Sequence, residues 1–470
     1  MSSRQGFVLL LCSAALGGCA VGPDYHAPQL ASSLPAQYHN APADSPVITE
    51  RWWTVFGDAA LSRLVEQALT ANLDIAQADA RIRQARASVG QADSSLWPQL
   101  NADGRVGHDQ FSRNSENFAN IPFANPKSGF NDNRIGLDAS WEIDLFGLEA
   151  RQREAARAML GSAQEQRNVM VLQVAAEVAR NVIDYRGWQL RWLNAQQQLE
   201  AASSNLQLLT LLRQAGEVSD GELQQAAAVV HQRQAALPPL KTAQGQALFA
   251  LTVLVDQPEQ QIEQILAGDL PIPATLSQAP AGLPGELLQR RPDIRQAERE
   301  LAAATARIGV AVAQQYPQLQ LIGNAGWDSV HQGNLTSAAS RYWSLGPQLS
   351  LPLFNAGGLQ DQVKEKQAER DAALAVYRQR VLTALADTET ALLRYAQEQQ
   401  RQQQLQAGLQ VAARQLQLAG QRYQVGETAQ TEVLDLRQQY AQARELLLAS
   451  QQAEAQNLVA LFKALGGGIK

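Results

Sequence analysis

Cysteine is nearly absent from this 470-residue chain: Cys12 and Cys19 are the only two, and both lie among the first twenty residues. Everything after Cys19 is free of thiols, which excludes a disulfide framework, cysteine-type zinc sites and thiol nucleophiles. Histidine is scarce as well, and the five present (His26, His39, His108, His231, His331) never fall at metal-ligand spacing. No G-x-S-x-G, H-E-x-x-H or phosphate-binding loop occurs, so no motif marks the chain as an enzyme or calls for a cofactor or metal. An excess of positive charge is also missing. The 39 basic and 45 acidic residues leave a net charge of −6 with no dense basic patch, which argues against nucleic acid as a partner. No apolar run reaches the roughly 18 residues that a transmembrane helix needs. Proline is absent between Pro126 and Pro238 and again after Pro352.

What is present begins with an address. Arg4 precedes an apolar run, Phe7-Val8-Leu9-Leu10-Leu11, that continues through small residues to Leu16. At about ten residues it is too short for a bilayer core of roughly 30 Å but has the length of a signal-peptide h-region. Leu16-Gly17-Gly18-Cys19 resembles the bacterial lipoprotein signal, in which the cysteine thiol is acylated before cleavage. A signal peptide over 1–18 is therefore expected, with Cys19 as the lipidated first residue of the mature chain and Cys12 discarded. Ala20 in place of an aspartate points, by the same resemblance, to the outer membrane.

The chain repeats itself. Ala71-Asn72-Leu73-Asp74-Ile75-Ala76-Gln77-Ala78 is answered by Arg290-Arg291-Pro292-Asp293-Ile294-Arg295-Gln296-Ala297, and Leu96-Trp97-Pro98-Gln99-Leu100 by Gln315-Tyr316-Pro317-Gln318-Leu319. Asp144-Leu145-Phe146-Gly147 corresponds to Pro352-Leu353-Phe354-Asn355, and Ala215-Gly216-Glu217 to Val425-Gly426-Glu427. Four matches in the same order indicate a tandem duplication. The expected organisation is a signal peptide (1–18), an extended N-terminal arm (19–60), one repeat over 61–280 and a second over 281–470.

Proline placement locates the helices, because an interior proline breaks one. Good helix formers dominate from Leu148 to Ala215 and from Leu359 to Val425. At 1.5 Å per residue, each run would make a helix about 100 Å long. After Gly216 and Gly426 the pattern resumes, which predicts long antiparallel hairpins, with Pro238-Pro239 interrupting the return helix of the first copy.

Between the helices the period changes to two. Ile135, Leu137, Ala139, Trp141, Ile143 and Leu145 alternate with Arg134, Gly136, Asp138, Ser140, Glu142 and Asp144. Trp343, Leu345, Pro347, Leu349 and Leu351 alternate with Ser344, Gly346, Gln348 and Ser350. The segments Leu100–Val106 and Leu319–Trp327 follow the same rule, with Ile322 the one misfit. Such alternation over about 9–11 residues is what a tilted membrane strand requires. Trp97, Trp141, Trp327 and Trp343 sit where an aromatic girdle would lie. Four strands cannot close a barrel, and an open edge in lipid leaves costly unpaired backbone groups. The chain must therefore pool strands with copies of itself. Two copies would give 8 strands with a filled interior, whereas three give 12 and room for a channel, and three is the expectation.

These features together resemble the outer-membrane factor family, the TolC/OprM-like exit ducts of bacterial efflux systems, in its lipoprotein (NodT-type) branch. The resemblance rests on Cys19-Ala20-Val21-Gly22-Pro23-Asp24-Tyr25, Trp52-Trp53-Thr54-Val55-Phe56-Gly57-Asp58, Leu287-Leu288-Gln289-Arg290-Arg291-Pro292-Asp293-Ile294, and Tyr423-Gln424-Val425-Gly426-Glu427 continuing to Val433-Leu434-Asp435. It implies a mixed, mainly α fold: a homotrimer with a 12-stranded transmembrane β-barrel continuing into a periplasmic α-helical barrel. It further implies a channel that conducts small molecules passively, docked to a periplasmic adaptor and an inner-membrane efflux pump and embedded in outer-membrane lipid. A lipid-anchored helical adhesin or envelope scaffold is the rival class, and it would not need alternating strands. The hairpin tips Gly216, Gly426 and Val425 are the expected adaptor contacts. Glu432 and Asp435 match positions that line the family's periplasmic constriction. Asp220 and Glu222 occupy the matching stretch of the first copy, and threefold symmetry would turn each acid into a ring that attracts cations. Where the TolC-like branch has an arginine after the tip glycine, this chain has Thr428, with Arg422 and Arg213 as the nearby cations.

Overall fold

The computed structural model describes residues 20–29, 34–41, 50–110, 112, 129–268 and 271–467. The expected signal peptide and both cysteines, Cys12 and Cys19, lie outside the described residues. In chain order come α1 (Ala59–Ala71), α2 (Leu73–Ser94), β1 (Gln99–Gln110), β2 (Gly129–Ile143), α3 (Leu148–Gln214), α4 (Asp220–Val255), α5 (Glu259–Leu266), α6 (Leu287–Arg290), α7 (Pro292–Ala313), β3 (Gln318–Ser329), β4 (Arg341–Ser350), α8 (Gly358–Gln424) and α9 (Gln430–Ala464). The sequence strand, strand, long helix, return helix thus occurs twice, and α3 and α8 are both 67 residues long. None of the described helices is long and apolar enough to cross a membrane. The chain divides into two compact units. Of the described residues, one unit holds the strands, with those of 20–28, 82–162 and 297–376; the other holds those of 29–81, 163–296 and 377–467.

In the first unit the strands form one antiparallel sheet in the order β1-β2-β3-β4. Its register sets like beside like: Leu137 pairs with Ala102 and Ala325, and Ile135 with Gly104 and Trp327. Because side chains alternate across a sheet, this alignment collects the apolar residues on one face. Leu100, Val106, Ile135, Leu137, Trp343, Leu345 and Leu349 on that face are all exposed. The opposite face is polar and cross-linked. Arg134 Nε donates to the Tyr342 hydroxyl at 2.7 Å, Arg105 pairs with Asp132 at 3.1 Å, and Ser344 donates to Asn324 at 3.1 Å. Ile322 stands in the polar row, opposite Ser140 and Gly346.

Several strand limits differ from the expectation. β2 stops at Ile143 rather than Leu145, because the Asp144 carboxylate accepts the Ala150 N–H at 2.8 Å and turns the chain into α3. At the other end β1 and β2 run on to Gln110 and back to Gly129, past the apolar alternation.

The second unit carries a dense core. Trp52, Trp53 and Phe56 form a buried 3-10 turn, and Trp52 stacks on Phe462 of α9 at 5.2 Å between ring centres. Asp58 then caps α1 by accepting the Leu61 N–H at 2.9 Å, so the Trp52–Asp58 motif is a core plug followed by a helix cap. The repeated motifs have matching tasks. Asn72 donates to the carbonyl of Leu254 near the end of α4 (2.9 Å), while Arg291 donates to the carbonyl of Ala464 at the end of α9 (3.2 Å). Each copy therefore ties the C-terminus of its return helix to the motif that opens the copy, satisfying carbonyls that a helix end leaves unpaired.

Pro238-Pro239 does not interrupt the return helix: α4 runs unbroken from Asp220 to Val255. The two missing N–H groups orphan the carbonyls of Gln234 and Ala235. Both residues are exposed, so water can take the place of the lost partners and the helix continues.

Candidate functional site

The two hairpin tips are built alike. In the first, Gly216 adopts φ +83°, its N–H bonds the Arg213 carbonyl at 3.0 Å, and the Glu217 N–H bonds the Leu212 carbonyl at 2.9 Å. In the second, Gly426 adopts φ +79°, with Gly426 to Tyr423 at 3.0 Å and Glu427 to Arg422 at 2.8 Å. This is the Schellman helix ending, which places a left-handed residue just past the helix and thereby favours glycine. Val425 beside the second tip is exposed, and nothing crowds the missing Cβ of either glycine.

Beyond the tips the four sequence-predicted acids part company. Asp220 is bound in both oxygens by Arg213, at 2.6 and 3.1 Å. That hydrogen bond and charge hold the Asp220 carboxyl below the usual carboxylate range. Glu222 closes a capping box with Ser219, accepting the Ser219 N–H at 2.8 Å, and this backbone hydrogen bond lowers its pKa. Glu432 accepts the hydroxyl of Thr428, the residue standing where an arginine would be in the TolC-like branch. Asp435 has no such local partner among the described residues. Arg422 lies 3.7 Å from Glu427, so both tip arginines act inside their own hairpin.

A cleft of about 820 Å³ separates the hairpins, lined by α3, α4, α8 and α9. Glu222 and Asp435 both face it, together with Arg233, Arg437 and Glu200, while Asp220 and Glu432 do not. Its head is closed by a polar zipper between α3 and α9. Arg191 pairs with Glu445 at 2.6 Å, Asn194 donates to the Ala441 carbonyl at 3.1 Å, and Arg444 donates to Gln197 at 2.9 Å. Further from the tips, the Asp184 carboxylate accepts the amides of Gln452 (2.6 Å) and Gln456, and burial raises its pKa. Near the tips, where the contacts between α3 and α9 are polar, the helices can part without exposing a large apolar area, because the hydrophobic cost scales with that area.

Sequence reasoning missed Arg233, Arg437 and Asn194. The available signal was helical spacing: Asn194, Gln198, Ala201 and Asn205 on α3, and Glu222, Ala226, Val229 and Arg233 on α4, recur every three or four residues. Among the described residues no group of side chains could hold a metal ion.

Three comparisons bear on this arrangement. The chain matches the family described as Outer membrane efflux protein over residues 64–256 and again over 283–467. It is 30% identical over 476 residues to the pyoverdine export outer membrane protein OpmQ of Pseudomonas aeruginosa, covering 99% of this chain and 97% of that one. Its fold is similar to the outer-membrane channel OprN, with a TM-score of 0.84 and 32% identity over 96% of this chain and 99% of OprN. The open state of the MtrE outer membrane channel of Neisseria gonorrhoeae superposes with a TM-score of 0.83 at 26% identity, over 96% of this chain and 99% of MtrE.

Proposed function

We propose, for a chain that belongs to the outer membrane efflux protein family, that three copies close one exit duct whose narrow end lies at the hairpin tips. The protein is an outer-membrane channel of an efflux system that extends into the periplasm. The observation that carries the trimer is the open sheet. Four strands expose a whole apolar face, and β1 and β4 each have one edge without a partner strand among the described residues. Unpaired edges in lipid cost several kcal/mol per backbone group, so the sheet is viable there only as part of a closed ring. Three copies supply twelve strands, enough for an open lumen. The polar face of Asp103, Arg105, Arg134 and Asp138 then lines the lumen, and the apolar face meets lipid.

Cys19 is the lipid attachment point on this reading, and the tips (Gly216, Gly426, Val425) meet a periplasmic adaptor that couples the duct to an inner-membrane pump. Of the four acids, Glu222 and Asp435 act on the passage because they face the cleft; Asp220 and Glu432 shape the tips. Threefold repetition of Asp435 concentrates carboxylates at one opening and favours cations.

Planar-bilayer conductance tests both parts. Leu137→Asp puts a charge on the lipid face and is expected to impair trimer formation and channel activity, whereas Ser140→Asp, in the lumen row, leaves both near wild type. Equal effects at the two sites would refute the facing. Glu432→Gln with Asp435→Asn is expected to weaken cation selectivity, with most of the change coming from Asp435→Asn alone. The control pair, Glu365→Gln with Glu369→Gln, changes acids already held by Lys366. Unchanged reversal potentials in the tip variants would return those acids to the ordinary surface.

A further inference from the structure

The motif Ala20-Val21-Gly22-Pro23-Asp24-Tyr25 lies away from the hairpin tips, yet it is held by several specific contacts. Arg151, in the first turn of α3, has a side chain only 6% exposed. Its Nε donates to the Val21 carbonyl at 3.2 Å, and its Nη2 to the Gly22 carbonyl at 3.4 Å and to Asp24 Oδ1 at 2.6 Å. Its Nη1 is taken by Glu154 at 2.7 Å, so three of four acceptors belong to the arm. The Val21 N–H in turn donates to the Phe146 carbonyl at 3.0 Å, and the Tyr25 hydroxyl to Glu298 at 3.3 Å.

Glycines let the backbones close on one another. Gly22 has φ +89°, and a Cβ there would lie 2.5 Å from the Cα of Gly309. A Cβ on Gly309 would meet the Arg151 stem at 2.8 Å, and one on Gly147 would meet Ala20 at 2.6 Å. Three positions where any side chain collides, around one nearly buried guanidinium, make a fitted seat rather than a chance surface contact. The seat adjoins the end of β2. Phe146 stacks on Tyr316 at 4.8 Å, and Trp97 and Trp141 mark the same ends of β1 and β2. Aromatic residues of this kind settle at the level of lipid headgroups.

We propose that Arg151 and its three glycines form a docking seat for the peptide that follows the acylated cysteine, and that this seat delivers the acyl chains to the membrane directly beside the sheet. The inference rests on the reading that Cys19 carries the lipid. Ala20, covalently next to that cysteine, is packed on Gly147, so the seat ends one residue from the attachment point. The seat would thus hold each protomer's sheet at the bilayer before the ring closes, through the effective concentration that a short link provides. Arg151 is the positioning residue and touches no cargo.

The test uses the full-length protein with its own signal, as trimers in lipid nanodiscs, and reads hydrogen exchange at the Val21 amide together with the mass of the N-terminal peptide. The mass reports acylation independently of the seat. Wild type is expected to protect Val21; Arg151→Ala should speed its exchange by at least about tenfold, since hydrogen bonds to charged groups are lost, and Arg151→Lys should fall between. Asp24→Asn, which leaves α3 untouched, is the second variant and should accelerate exchange in the same direction. A photo-crosslinker in place of Phe146 should capture the acylated N-terminal peptide in wild type and lose it with Arg151→Ala. Unprotected Val21 in wild type, or equal exchange in wild type and both Arg151→Ala and Asp24→Asn, would overturn the seat even where the mass shows a lipid.

Discussion

The two hairpin tips descend from one repeated sequence and share one turn, but they are fastened differently. The first has a bidentate Arg213–Asp220 ion pair and a Ser219/Glu222 capping box. The second has Ala429 at the N-cap of its return helix, which supplies no side-chain cap, and its arginine lies 3.7 Å from Glu427. Tyr423 donates to the Gln430 amide oxygen at 3.0 Å and Thr428 to the Glu432 carboxylate, each a single hydrogen bond. A bidentate ion pair and a reciprocal cap hold a helix start more firmly than single hydrogen bonds and a 3.7 Å ion pair. After duplication the turn was kept by its left-handed glycine, while the fastening was free to diverge. The second tip is therefore the looser one, and it carries Asp435 on its return helix.

The shared part of the comparison should respond most. Gly216→Ala and Gly426→Ala each force a left-handed alanine at a cost of roughly 1–2 kcal/mol. Hydrogen exchange at the two tips should accelerate by similar factors, and a large inequality would mean that the turns are not equivalent. Next comes the cap, where the tips differ. Ser219→Ala should loosen the first tip by about 1 kcal/mol, and Ala429→Ser should tighten the second by a similar amount. If Ala429→Ser left exchange unchanged, the missing cap would not be the reason for its looseness.

The smallest effect is the response to acid. Hydrogen bonds hold the pKa values of Asp220 and Glu222 below their ordinary values. A depressed carboxylate pKa contributes stability above the unfolded value, near 4, and loses it as pH falls through the folded value. The first tip should thus keep its advantage at neutral pH and surrender it below about pH 4, where exchange at the two tips converges. Asp24 follows the same sign, because its hydrogen bond to Arg151 lowers its pKa, so Val21 should also lose protection there. A tip difference that persists unchanged in acid would assign it to something other than these carboxylates.

Much of the frame was legible in the residues. Alternation marked all four strands because a sheet with lipid on one face and water on the other must alternate. The proline-free runs gave α3 and α8 within about a residue, and Gly216 and Gly426 marked both turns. The misreadings have particular causes. Pro238-Pro239 was read as a break, but an exposed pair of orphaned carbonyls can be hydrated in place. Leu145 was counted into β2 because its polarity fits the alternation, although Asp144 had already been recruited to the start of α3.

By itself the sequence determined the two long helices with their turns, the duplication and the two-faced sheet, since each is a pattern that a stretch of chain carries. Only the tertiary structure decided the fastenings, Arg151 on residues 21–24 and Asn72 and Arg291 on the ends of their return helices, and put Glu222 and Asp435 along one cleft. Those residues lie more than a hundred positions apart. Whether they touch depends on helix rotation and register set by packing, which no repeat along the chain encodes.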